Sequence, residues 1–128
     1  MKKLLRLLLV EDSEDDAFLL LHELKKSDYK IEHERVETEP EMRRALNQKA
    51  WDVVIADYNL PRFSAPAALN VLHDVNIDLP FIILSGAIGE ETAVEAMRAG
   101  AHDYIMKDQL GRLIPAIERE LRETDGRK

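Results

Sequence analysis

Short apolar runs alternate with longer segments of helical periodicity from one end of the chain to the other, and this alternation constrains the fold more than any other feature. The runs are residues 5–10, 31–36, 51–56, 81–84 and 102–106. Between them apolar residues recur at helical spacing, most clearly Leu110, Leu113, Ile114, Ile117 and Leu121. Helix starts are marked by Ser13 with Asp16 three residues on, by Thr38 with Glu41, and by Ser64 ahead of Pro66. Gly100 stands where the fourth helix should stop. Five strands alternating with five helices predict an α/β fold, a doubly wound parallel sheet covered on both faces.

Strand polarity suggests an order. The first, third and fourth runs are nearly all apolar, as strands buried on both faces must be. The second, Ile31-Glu32-His33-Glu34-Arg35-Val36, and the fifth, around His102-Asp103-Tyr104, are more polar, as edges are. The order 2-1-3-4-5, the flavodoxin-like arrangement, fits this pattern, although polarity does not separate every permutation. It leaves a crevice at the carboxyl ends of strands one and three, where the winding reverses.

Length and composition narrow the classes. A chain of 128 residues fits one domain, 1–128, with the last few residues a tail or a connector. The net charge of −7 argues against direct binding to nucleic acid or to an anionic membrane surface. There is no cysteine, which is compatible with a cytoplasmic protein and removes thiolate and disulfide chemistry. No segment approaches the ~20 apolar residues that span a bilayer. The start, Met1-Lys2-Lys3-Leu4-Leu5, imitates a signal peptide only until Arg6 and the acidic stretch at 11–16.

The residues after each apolar run carry the functional reading. Glu11 and Asp12 follow the first, Asp57 the third, Ser85 and Gly86 the fourth, and Lys107 the fifth. Three carboxylates, one hydroxyl and one ammonium would therefore meet at the strand ends. Carboxylates gathered in a crevice resist ionising together unless a cation neutralises them, and a sulfur-free acidic set suits a hard cation such as Mg²⁺ (or Mn²⁺). Lys107 is suited instead to a phosphate or to pairing with Asp57. Glu14, Asp15 and Asp16 read as solvated residues favouring a helix N-terminus.

Glu11-Asp12, Asp57 within Ala56-Asp57-Tyr58-Asn59-Leu60-Pro61, Ser85-Gly86-Ala87 and Lys107 are each short. Taken in order, each at a strand end, they resemble the receiver domain of two-component response regulators over essentially the whole chain. The resemblance implies that Asp57 accepts a phosphoryl group from a phosphohistidine on a histidine kinase or phosphotransfer protein. It implies that Asp12, Asp57 and the backbone carbonyl of Asn59 bind the metal, with Glu11 acting through a water. Lys107 would neutralise the phosphoryl oxygens, with the Tyr58 N–H as a further donor, and Ser85 would hydrogen-bond the phosphoryl group. Tyr104 would then turn inward, reshaping the surface of helix four, strand five and helix five for a downstream protein or output domain. Such a domain would be a phosphoacceptor, not a turnover enzyme, though it assists its own phosphorylation and autodephosphorylation. It would stand alone or form the N-terminal receiver of a larger protein.

Three positions depart from the family pattern. Asp108 replaces the usual proline, so a differently shaped loop is expected, with Asp108 capping helix five. Ala65, followed by Pro66, replaces a glycine, and Ala87 occupies a variable position near the phosphoryl group.

Two rival functions fit these residues less well. A phosphatase of the haloacid dehalogenase type needs a second aspartate where Asn59 stands. A flavodoxin-like cofactor module needs a phosphate loop that the acids at 11–16 would repel. His22 in His22-Glu23-Leu24-Lys25 reads as a half-exposed helix histidine, and His33, His73 and His102 lack the spacing of a zinc site.

Overall fold

The computed structural model describes residues 3–58, 63–86 and 90–126. Asn59, Leu60, Pro61 and Ala87 lie outside the described residues. The five strands are β1 (Lys3–Val10), β2 (Tyr29–Val36), β3 (Val53–Asp57), β4 (Phe81–Ser85) and β5 (Asp103–Met106), and they alternate with helices α1 (Glu14–Leu24), α2 (Glu39–Gln48), α3 (Ala65–Asp74), α4 (Glu90–Arg98) and α5 (Leu113–Gly126). The sheet is wholly parallel in the order β2-β1-β3-β4-β5, with the two polar strands at its edges as expected.

The central strands are apolar because both of their faces are covered. On one face Leu8, Val10, Val54, Ala56, Phe81 and Ile83 pack with residues of α2, α3 and α4. On the other, Leu7, Leu9, Val53, Ile55, Ile82 and Leu84 pack with residues of α1 and α5. The alternation along each strand is the period of two that a strand imposes on its side chains.

The expected helix starts are all present. Ser13 Oγ accepts from the Asp16 N–H at 3.1 Å, and Ser64 Oγ from the Ala67 N–H at 3.3 Å. At α2, Thr38 Oγ1 accepts from the Glu41 N–H at 3.3 Å, while Glu41 reaches back to the Glu37 N–H at 2.9 Å. Gly100 ends α4 at φ +118°, with the Ala101 and Gly100 N–H groups donating to the Ala96 and Met97 carbonyls. A β-carbon there would meet His73 Nε2 at 3.2 Å.

Several boundaries differ from the sequence reading. β3 starts at Val53, not Trp51, because Trp51 is buried and its indole N–H donates to the Ala45 carbonyl at 2.9 Å. β1 and β2 each start two residues earlier, since their ladder runs from Lys3 opposite Tyr29 to Val10 opposite Val36. The Lys107–Asp108 peptide is trans, and residues Lys107–Arg112 form a 3-10 segment ahead of α5. Asp108 does not cap helix five: it lies in the first turn of that segment, whose N-cap is Met106, and no side chain closes the cap. Leu110, in the 3-10 segment, still packs on the same core face as Leu113 and Ile117.

Candidate phosphoacceptor site

Strand register brings the site residues level. Val10 pairs with Ala56, so Glu11 and Asp57 lie side by side at adjacent strand ends. Asp57 pairs with Leu84, and Ser85 with Met106, so the ends of β4 and β5 step one residue further and deliver Ser85 and then Lys107. The order 2-1-3-4-5 makes this convergence possible, because it places the ends of β1, β3, β4 and β5 consecutively across the sheet.

Asp57 is 8% exposed and Glu11 6%, whereas Asp12 is exposed to solvent. Lys107 Nζ donates to Asp57 Oδ2 at 2.8 Å and lies 3.6 Å from Glu11 Oε2. Burial alone would favour neutral Lys107, but its hydrogen bonds to Asp16 and Asp57 outweigh that and raise its pKa above the ordinary lysine range. Burial, helped by the charge of Asp57, pushes the Glu11 carboxyl up to about 7, against the lowering effects of the Ser13 N–H and Lys107. Glu11, Asp12 and Asp57 each offer a carboxylate oxygen, and the three lie within 4.8 Å of one another. Hard, anionic oxygens at this separation fit a divalent cation, which would offset the cost of a charged, buried Glu11 beside Asp57.

Ser85 is fully buried, and its Oγ has no hydrogen-bond partner among the described residues. A buried hydroxyl left unpaired costs free energy, so this atom is a place where an acceptor oxygen would be stabilised. The Tyr58 N–H, expected as a further donor to the phosphoryl group, already donates to the Leu84 carbonyl at 2.9 Å. It continues the β3–β4 ladder one residue past Asp57. Tyr104 is half-buried, and its hydroxyl donates to Met106 Sδ at 2.9 Å. Its ring edges an open groove lined also by Ala93, Val94, Met97, Arg98 and Asp103.

Two residues of the site escaped the sequence reading. Asp16, expected to be solvated, is only half-exposed and receives a hydrogen bond from Lys107 Nζ at 2.7 Å. Ser13 caps α1, so Asp16 is its third helical residue, and helical side chains lean toward the N-terminus, here toward the strand ends. The cap assignment thus contained the signal. Arg35, at the end of edge strand β2, donates to the Glu11 carbonyl and to Glu37 at 3.1 Å each and to Glu14 at 3.3 Å, tying down the β1–α1 loop. A long-range side-chain contact of this kind leaves no mark on local spacing.

The family model for the response regulator receiver domain matches residues 7–118. The chain belongs to the response regulator receiver family. It is 32% identical over 80 residues to the transcriptional regulatory protein ZraR of Salmonella typhimurium, an alignment covering 62% of this chain and 18% of that protein. It is 32% identical over 114 residues to a protein-glutamate methylesterase/protein-glutamine glutaminase of Rhizobium johnstonii, covering 87% of this chain and 31% of that protein. The chain therefore spans less than a third of either relative's length. Among solved structures, the receiver domain of a LuxO repressor-type protein from Vibrio parahaemolyticus superposes with a TM-score of 0.82 at 27% identity, covering 98% of this chain and 94% of that one. NtrX from Brucella abortus gives a TM-score of 0.83 at 29% identity, covering 99% of this chain and 28% of that one. This chain is thus a receiver domain of the kind found in two-component response regulators. No described helix is long and apolar enough to cross a membrane.

Proposed function

We propose that this receiver accepts a phosphoryl group on Asp57 from a phosphohistidine of a partner histidine kinase or phosphotransfer protein. The observation that carries this reading is the setting of Asp57, between a carboxylate cluster fit for a divalent cation and the Lys107 ammonium at 2.8 Å. An Asp57 carboxylate oxygen attacks phosphorus, the new P–O bond forms as the P–N bond breaks, and the departing imidazole nitrogen keeps the electron pair. Asp12, Asp57 and the Asn59 carbonyl would hold Mg²⁺ (or Mn²⁺), with Glu11 acting through a water. The cation, when bound, supplies positive charge to the phosphoryl oxygens. Lys107 supplies the same from the other strand end, and in a loose transition state such electrostatic positioning accounts for most of the rate.

Ser85 is the proposed sensor. Its Oγ, unpaired among the described residues, gains a partner when a phosphoryl oxygen arrives, and that gain favours a packing in which the β4 end closes toward Asp57. Tyr104 would follow by exchanging its contact with Met106 for an inward position, altering the α4–β5–α5 surface offered to a downstream protein or output domain. Residues 1–128 then act as one phosphoacceptor domain. It would work in the cytoplasm, without direct contact with nucleic acid or membrane. Its chemistry extends to its own phosphorylation and autodephosphorylation but not to turnover of an external substrate.

The test is incubation with acetyl phosphate and Mg²⁺ followed by intact mass measurement. One phosphoryl adduct is expected, removed by hydroxylamine and absent from Asp57→Asn. The same yield in Asp57→Asn would overturn the assignment.

A further inference from the structure

Asp16 has no part in the chemistry above, yet its carboxylate stands 2.7 Å from Lys107 Nζ, as close as Asp57 at 2.8 Å. Its carboxylate bonds the ammonium of the site, whereas the oxygens gathered as a cation would need are those of Glu11, Asp12 and Asp57. From this geometry we infer that Asp16 competes with the phosphoryl group for Lys107, slowing phosphorylation of Asp57 while leaving Asp57 freer to take a cation. The inference rests on the phosphoacceptor reading of Asp57.

An ammonium has three protons, and here two of them serve two different carboxylates. One positive charge shared between Asp16 and Asp57 neutralises neither fully. Two consequences of opposite sign follow. A cation arriving at Asp57 must weaken the Lys107 contact, and a lysine already bonded to Asp16 gives up little in doing so. A phosphoryl group, by contrast, needs Lys107 to offset its negative oxygens. Asp16 retains part of that charge and adds its own repulsion. The Asp16 carboxylate stays in place because its residue lies in the first turn of α1, with its N–H bonded to Ser13 Oγ at 3.1 Å. Asparagine at this position keeps the size, the backbone cap and an acceptor for Lys107, and removes only the charge.

The experiment compares wild type with Asp16→Asn and Asp15→Asn. Asp15 is an exposed neighbour whose replacement makes the same change in net charge. Acetyl phosphate is the donor: Asp57 oxygen bonds to phosphorus as the P–O bond to acetate breaks, and acetate leaves with the electron pair. At saturating Mg²⁺, Asp16→Asn is expected to accelerate phosphorylation about two- to fivefold, the scale of a partly exposed ion pair. Calorimetric titration with Mg²⁺ alone should show affinity weakened by a similar factor. Asp15→Asn should leave both readouts close to wild type. A damaged fold lowers both, so movement in opposite directions marks competition for Lys107. Slower phosphorylation in Asp16→Asn, no change in either readout, or an equal response to Asp15→Asn each overturns the inference while leaving Asp57 as acceptor. A wild type that takes no phosphoryl group at all overturns the phosphoacceptor reading itself and this inference with it.

Discussion

Glu11 and Ser85 are buried in ways that a core would not choose for itself. The folded-state value of Glu11, about 7, lies above its ordinary 4.5. Between those values the folded chain holds a proton that the unfolded chain has released. The stability this confers is fully present below pH 4.5 and is lost as pH rises through 7. In metal-free protein, Glu11→Gln should therefore show a thermal stability advantage over wild type that opens as pH rises toward 8, on the order of 2 kcal/mol. Denaturation curves at pH 5 and pH 8 without divalent cation check this, and a gain of equal size at both would refute the buried-charge account. Ser85 gives a prediction of a different kind. Its Oγ is fully buried and unpartnered among the described residues, so Ser85→Ala should be neutral or stabilising by up to ~1 kcal/mol in the unphosphorylated protein, measured by urea unfolding. A marked loss of stability would reveal a partner for the hydroxyl.

The elements hold the site by their ends, so their punctuation matters more than their interiors. α4 stops at Gly100 with φ +118°, a conformation that side chains resist, and a β-carbon there would press on His73. Gly100→Ala should destabilise the domain by about 1–2 kcal/mol in chemical denaturation. The β1–α1 loop is braced instead from outside, by Arg35 on the Glu11 carbonyl. Arg35→Ala removes that brace along with the contacts to Glu14 and Glu37. It should weaken Mg²⁺ binding several-fold in calorimetric titration while changing global stability by less than about 1 kcal/mol, since the ion pairs are partly exposed. Equal Mg²⁺ affinity in this variant would show that the loop needs no external support.

At the scale of the whole molecule, one sheet with two covered faces explains why the site can be polar without unfolding the domain. The apolar faces lie along the strand bodies, and the charges sit at or just beyond the last paired residues. Binding of Mg²⁺ to the folded form alone should raise the thermal midpoint progressively with concentration, by mass action. Asp12→Asn should abolish most of that rise while leaving the metal-free midpoint almost unchanged, because Asp12 is exposed and outside both core clusters. Differential scanning fluorimetry across an Mg²⁺ series checks it. A full rise in Asp12→Asn would remove Asp12 from the proposed metal ligands.

Periodicity and local residue chemistry by themselves determined the elements and the caps at Ser13, Thr38, Ser64 and Gly100, and strand–helix alternation and strand polarity pointed to a parallel sheet edged by strands two and five. The strand-end positions of Glu11, Asp57, Ser85 and Lys107 were legible for the same reason: a parallel α/β sheet gathers its strand ends at one edge. The 3-10 segment after Lys107 could not be read from Asp108, since a capping residue type does not say which turn it enters. Tyr58 was equally opaque, because whether its N–H is free depends on how far the β3–β4 ladder runs. Only the tertiary structure decided that Asp16 reaches Lys107, a residue 91 positions away, and that Arg35 clamps Glu11. Local sequence specifies where a side chain starts, but which charge it meets is set by how separate elements pack.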